Sequence, residues 1–372
     1  MVGLGYYIMA YKNKVTKLTV KGYKSIKVLE DFELSSLNVM IGGNGAGKSN
    51  LISLFKLLNE ISESNLQSLI RKSGGANTLL YFGSKVTPTL EVKIEFGPNS
   101  YSLKLTATAD DSLYFEEEKC SYLGRYSNPY TFNALSSDRK ETGLPNERGA
   151  ISASTLESIQ SWKLYHFHDT SDTAVMKKTG PIDDNEKLKP DASNLAAYLY
   201  LLENKYEQDF RNITHTIQSI APFFDRFILR PSPLKPDSIQ LEWKHKSSNN
   251  YFNASSLSDG TLRFICLATL LLQPEDQMPT TILLDEPELG LHPAAIQLLA
   301  NLLQSGATRT QIIVSTQSVT LINQLHPESI IVVNRNEEQS TFRRLTTGEL
   351  DTWLEDYGLG DMWEKDIIGG RP

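Results

Sequence analysis

Eight residues, Gly42-Gly43-Asn44-Gly45-Ala46-Gly47-Lys48-Ser49, place flexible backbone, a lysine and a hydroxyl in the spacing GxxxxGK[ST]. A loop of this kind wraps backbone N–H groups around a phosphate chain, with the lysine reaching the β- and γ-phosphates and the serine holding Mg²⁺. Gly42, Asn44, Gly45, Ala46, Gly47 and the following Asn50 complete the candidate cradle. The apolar run LNVMI before it reads as a strand, and Lys48 to about Glu60 as a helix whose N-terminus favours negative charge. A chance glycine-rich turn is the competing reading, and the flanking strand and helix argue against it.

TILLDEPELGLHP supplies a second group of acids. Its apolar residues carry Asp285 and Glu286 to a strand end, where one carboxylate can serve a metal shell and the next can orient an attacking water. Alone, DEPE also reads as an acidic helix start. A third stretch, SSLSDGTLRFICLATLLLQ, is a polar cap at Ser258-Asp259-Gly260-Thr261 in front of an apolar helix. His166 and His168 in YHFHDT fall on one strand face with Asp169 beside them. No third metal ligand can be placed there, which favours satisfied structural histidines.

The elements that must position these residues are α/β. VTKLTV, SIKVLEDFEL and LNVMI read as strands, and LEVKIEFG and YSLKLTATAD alternate as an antiparallel layer with one wet face. Residues 111–160 are polar and turn-rich, and are expected to be an insertion or mobile loop without a coiled-coil arm. WKLYHFHDT reads as a strand, DASNLAAYLYLLENKY as a helix capped by Asp191 or Ser193, and IQLEWKH as a short strand. TTILLDE and TQIIVST are buried parallel strands that end in polar residues, which places chemistry at strand ends.

The 372 residues, 40% hydrophobic, suffice for a large folded core, and the net charge of -7 argues against a generally basic nucleic-acid binder. Six lysines and no acids fall between Tyr11 and Val28, either a solvated strand face or a DNA-facing patch. Cys120 and Cys266 are the only cysteines and form no CxxC, so neither a disulfide framework nor a zinc site is supported, and a reducing cytoplasm is the default. No apolar run approaches the roughly 20 residues of a membrane helix. Residues 1–8, ahead of Met9, read as an upstream start with no function.

In this order, GxxxxGKS, LSDGT and LLDEP, with about 208 residues between Ser49 and Leu257, resemble the ABC-type ATPase heads of the SMC, RecF and OLD-like group. The resemblance implies a P-loop NTPase fold: a mixed central sheet, an antiparallel β lobe and a helical lobe. A single head would fill residues 1–372. Its parts would be an N-terminal lobe with the phosphate loop (12–110), the polar insertion (111–160), the helical lobe with signature turn, second nucleotide motif and switch (161–335), and a C-terminal extension (336–372).

The resemblance further implies that the chain binds Mg²⁺ and ATP. Ser258 and Gly260 would face the γ-phosphate held by a second copy, with Asp259 where the LSGGQ-type turn has glycine, so a homodimer would close around ATP. Gly22-Tyr23-Lys24-Ser25 resembles the GFKS-type turn, making Lys24 a candidate phosphate contact. Leu289-Gly290-Leu291-His292 falls at the D-loop, with His292 where many relatives carry aspartate.

Gln317, in IIVSTQSVT, stands where transporter ATPases have a switch histidine. Glutamine can bond a γ-phosphate or a water but takes up no proton at neutral pH. That argues against a transporter subunit and for slow turnover, with Glu286 as the general base. No residue is assigned to the Q-loop. DASNLAAYL, LSDGTLRF, DEPELGLHP and STQS are together similar to stand-alone bacterial AAA ATPases of phage-defence or DNA-repair operons. About 55 residues follow STQS, too few for the TOPRIM nuclease of OLD proteins, so a nuclease or toxin effector is expected on another chain. The alternative is a RecF-like ATPase that binds DNA itself.

Overall fold

The computed structural model describes residues 14–122, 130–134, 139–354 and 356–371, with backbone alone at 130–134, 351, 352 and 354. Residues 1–8 and Lys12 lie outside the described residues. The central sheet has the order β18 (Gln339–Arg344), β17 (Ile330–Asn336), β3 (Leu37–Ile41), β16 (Gln311–Thr316), β15 (Thr281–Asp285), β8 (Trp162–Tyr165). Its last five strands run parallel, and β18 is antiparallel to β17. β3 and β16 are buried at every residue, which is why their sequences read as unbroken apolar runs. Side-chain alternation splits them between two cores: Val39 and Ile41 face one, Met40 the other.

The second sheet is antiparallel, in the order β2 (Ile26–Glu33), β1 (Val15–Tyr23), β4 (Thr89–Phe96), β5 (Asn99–Ala107), β6 (Leu113–Tyr122), β7 (Tyr130–Ala134). Helix α1 (Lys48–Ser62) lies between the two sheets, its Leu51, Leu54, Phe55 and Leu58 packed in one cluster with Met40, Ile94 and Phe96. Helices α2 (Leu66–Ser73) and α3 (Ala150–Gln160) add Leu66, Ile70 and Ile159 to it. The other face of the central sheet carries the helical lobe: α4 (Leu195–Lys205), α5 (Glu207–Ile220), α6 (Asp259–Leu272) and α7 (Pro293–Gly306). Short helices α8 (Val319–Ile322), α9 (Thr347–Leu354) and α10 (Leu359–Glu364) finish the chain. Two three-stranded sheets flank this lobe: β10 (Phe224–Ile228), β13 (Glu242–His245), β14 (Tyr251–Asn253), and β11 (Pro231–Ser232), β12 (Lys235–Ile239), β9 (Gly180–Pro181). The mixed sheet, antiparallel lobe and helical lobe are those expected.

Several boundaries differ from the sequence reading. Residues 111–160, expected as an insertion, supply β6, β7 and α3. The acids that make this stretch look like a loop are cross-strand partners: Glu116 meets Lys104 at 2.9 Å, and buried Glu118 accepts from Tyr101 Oη at 2.6 Å and from the Gly143 N–H at 2.9 Å. Of the expected C-terminal extension, residues 339–344 are the edge strand of the central sheet. The DASNL helix is capped at Asn194, whose side chain instead bonds the backbone of Asp184, Lys187 and Lys189; Asp191 serves an Asx turn to Ser193. IQLEWKH divides into the ends of β12 and β13. β8 ends at Tyr165, so His166 and His168 lie beyond the strand, their rings 6.2 Å apart.

Of the described lysines between Tyr11 and Val28, Lys14 is buried and Lys21 is ion-paired, and acids also meet lysines of β4 and β6 in the same sheet. Lys21 meets Glu30 at 2.5 Å, Lys93 meets Glu95 at 2.6 Å, and Lys119 pairs with Glu117. Among the described residues, no helix is long and apolar enough to cross a membrane.

Candidate nucleotide site

Parallel register aligns the strand ends. Asp285 pairs with Ser315, Ser315 with Met40, and Thr316 with Ile41 and so with Val332 of β17. The residues that follow, Gly42, Glu286, Gln317 and His166, therefore leave the sheet at one edge, where open α/β sheets place ligands.

The loop 42–47 joins β3 to α1 and presses on its surroundings. A Cβ on Gly42 would overlap the Val333 carbonyl, and one on Gly47 the Ser340 hydroxyl, so only glycine fits at either place. Asn44, Gly45 and Ser49 are exposed, Ala46 is buried, and no side chain caps α1. Lys48 is buried and turns its ammonium onto the Gly42 and Gly43 carbonyls at 2.5 and 3.1 Å. Burial pulls its pKa below the usual lysine range, opposed by the carboxylates of Glu286, Asp285 and Glu288. The two acidic and basic motifs thus converge electrically as well as in register.

A serine brace supports the loop from below. Ser340 Oγ donates to the Ala46 carbonyl at 2.5 Å, lies 2.6 Å from Ser25 Oγ, and Asn50 Nδ2 donates to Ser25 Oγ at 2.6 Å. Ser25 sits in the quoted GYKS turn without a role assigned to it, and Ser340 carries no motif; both were missed. Lys24 has φ 47° and directs its ammonium to Ser53 Oγ at 2.9 Å, one helical turn past Ser49. It stands beside α1 and makes no bond to the loop itself.

Asp285 Oδ1 accepts from Ser315 Oγ, and the Glu286 N–H donates to the Ser315 carbonyl at 2.9 Å. Glu286 has φ 44°, a left-handed conformation unusual for glutamate. The Gln317 amide, expected at a γ-phosphate, donates to Glu286 Oε1. His166 is close enough to feel Asp285, but burial, and then His168, lowers its pKa. Among the described residues no three His, Cys, Asp or Glu form a group able to hold a metal.

The turn at 258–261 makes no hydrogen bond to these groups among the described residues. Ser258 caps α6, accepting from the Thr261 N–H at 3.2 Å and lying 2.8 Å from Thr261 Oγ1. A Cβ on Gly260 would overlap the Gly290 carbonyl, so α6 rests on the segment after Glu286. Arg263 of α6 fastens that contact, donating to the carbonyls of Leu289, Phe167 (2.9 Å) and His168 (3.0 Å). His292 caps α7 through Nδ1, 3.3 Å from the Ala294 N–H. A cavity of about 550 Å³ lies elsewhere, between β8 and residues 183–190.

Residues 37–323 match the family described as "AAA domain, putative AbiEii toxin, Type IV TA system". The chain belongs to this family. No curated protein matches it in sequence. Among solved structures it is similar to an Smc head bound to the winged-helix domain of ScpA, with TM-score 0.58 and 18% identity over 91% of this chain and 99% of that one. An Smc head with an extended coiled coil bound to the C-terminal domain of ScpA, from Pyrococcus furiosus, gives TM-score 0.56 and 17% identity over 92% and 98%. The Smc head with coiled coil and joint from Pyrococcus yayanosii gives 0.51 and 14% over 92% and 99%. Family and fold together give an AAA domain built on the fold of the Smc heads.

Proposed function

We propose that the chain binds Mg-ATP, closes a homodimer around two nucleotides and hydrolyses them slowly. The observation that carries this is the convergence of Lys48, Asp285 and Glu286 at one sheet edge, with the Gln317 amide on Glu286. Lys48 would exchange its loop carbonyls for the β- and γ-phosphates, and the Gly42–Gly47 backbone would wrap them together with the uncapped start of α1. Ser49, exposed, and Asp285 offer the oxygen donors that Mg²⁺ prefers; when bound, the ion neutralises phosphate charge. Glu286 would take the proton of the attacking water, its carboxylate oriented by Gln317.

Ser258 and Gly260 would complete the site of the opposite copy, since neither touches the loop of its own chain among the described residues. The closure would control a separately encoded effector in phage defence; the family description, which names a putative toxin of a Type IV TA system, supports only the broader reading of a toxin-type module. The net charge of -7 and the pairing of Lys21 with Glu30 favour this over direct DNA binding in repair or recombination.

The test is molecular mass by light scattering for Glu286→Gln, with and without Mg-ATP, repeated with Ser258→Arg added. ATP-driven doubling that Ser258→Arg abolishes is expected; an unchanged mass in protein shown to bind ATP overturns the sandwich. DNA binding that appears with ATP and weakens steeply with salt would replace the effector reading.

A further inference from the structure

Glu288 stands two residues past Glu286, is 6% exposed, and has no place in the roles above. Its Oε1 accepts from Thr316 Oγ1 at 2.5 Å and from the Gln317 N–H at 3.2 Å, while Oε2 is buried without a partner. A buried carboxyl with one oxygen unpaired costs stability, so the bonds its other oxygen makes are what the position provides. Burial also holds its pKa above the ordinary carboxylate range, against the pull of its two donors.

What Glu288 holds is the corner from which Gln317 projects. Residues 285–288 and 315–317 close a ring of bonds: Ser315 to Asp285, the Glu286 N–H to the Ser315 carbonyl, Thr316 and Gln317 to Glu288, and the Gln317 amide back to Glu286. Glu286 sits in this ring at its left-handed φ of 44°, a conformation that persists only where neighbours over-determine it. We propose that Glu288 is a positioning residue for hydrolysis, fixing the Thr316–Gln317 corner so that the Gln317 amide holds Glu286 in its working orientation. The proposal rests on the hydrolytic reading above.

The experiment is a double-mutant cycle in steady-state ATP hydrolysis, with nucleotide affinity measured in parallel. Glu288→Ala should lower kcat about ten- to a hundredfold with KM within about threefold, as loss of a supporting partner does. Glu288→Gln keeps an oxygen for both donors and should recover to within about threefold of wild type. Gln317→Ala should cost as much as Glu288→Ala, and the double variant no more than either alone. Additive losses, a KM that rises with the fall in kcat, or a Glu288→Gln as impaired as Glu288→Ala would each overturn the proposal.

Should Glu288→Ala fail to fold, Thr316→Val removes one of the two donors. It should lower kcat about threefold in the native background and not at all beside Gln317→Ala; equal losses in both backgrounds overturn the proposal. Glu286→Gln, run in the same series, separates the two levels. If it hydrolyses at the wild-type rate, the hydrolytic reading falls and takes the proposal with it. If it is inactive while the cycle is additive, only the role of Glu288 falls.

Discussion

Two helix starts in this molecule are finished in opposite ways. At α1, no side chain caps the helix, a buried lysine faces three carboxylates, and serines from β18 and the first turn brace the loop from below. At α6, the Ser258 hydroxyl is already used by Thr261, and Asp259 is largely exposed, its nearest cation the buried Lys177 at 3.7 Å. The first start leaves its opening N–H groups without a side-chain cap, open to a phosphate. The second is content within its own chain. A composite site built from both would therefore be strong in its loop half and weak in its turn half, so that binding of nucleotide and closure of the dimer should be separable.

The sharpest break would come from Glu286→Gln, expected to lower hydrolysis about 10²- to 10⁴-fold while leaving ATP bound. Wild-type turnover in that variant would remove chemistry from the loop half altogether. Lys48→Ala should weaken ATP about a hundredfold or more in a fluorescent-nucleotide titration, the loss expected when a buried charge partner is truncated. Ser258→Arg should leave that affinity within about threefold and abolish the ATP-dependent gain in mass; equal damage to both readouts would merge the halves the comparison keeps apart. Ser340→Ala should lower stability by about 1–2 kcal/mol, seen as a lower denaturation midpoint, because the Ala46 carbonyl and Ser25 lose a partner.

The smallest effect concerns pH. The carboxyl of Glu288 holds its proton more tightly folded than unfolded, so its ionisation opposes folding above the folded pKa and the penalty fades as pH falls through that value. Glu288→Gln should thus raise the melting temperature at about pH 8, with the gain shrinking toward the ordinary carboxylate value of 4.5. A gain independent of pH would mean that packing, not charge, limits stability there.

The loop half was legible because its information is local. Glycines, lysine and serine sit in eight consecutive residues, and the strand and helix on either side announce themselves by apolar pattern. Asp285 and Glu286 were legible for the same reason. Ser340 was not, since its value lies in a hydroxyl brought 2.5 Å from Ala46 by a strand pairing nearly 300 residues away in the chain. Glu288 read as one more acid of DEPE, because nothing local distinguishes a buried carboxylate from a solvated one. β6 and α3 were read as insertion because Glu116, Glu118 and the serines of α3 look polar in isolation, whereas cross-strand partners and a covering sheet make them ordinary parts of a fold. The cap at Asn194 was missed because three candidate cap residues adjoin, and only the loop they fold against selects one.

The closeness of Gly260 to the Gly290 carbonyl affects which positions can be used to probe the turn. A side chain placed at 260 would act as a wedge, levering α6 away from the segment that follows the acids in its own subunit. A failed assembly after such a change would say nothing about which subunit was injured. Ser258, whose side-chain bonds among the described residues are to Thr261, carries no such mechanical linkage. One position is a hinge pin and its neighbour a fingertip, and only the fingertip can report on touch.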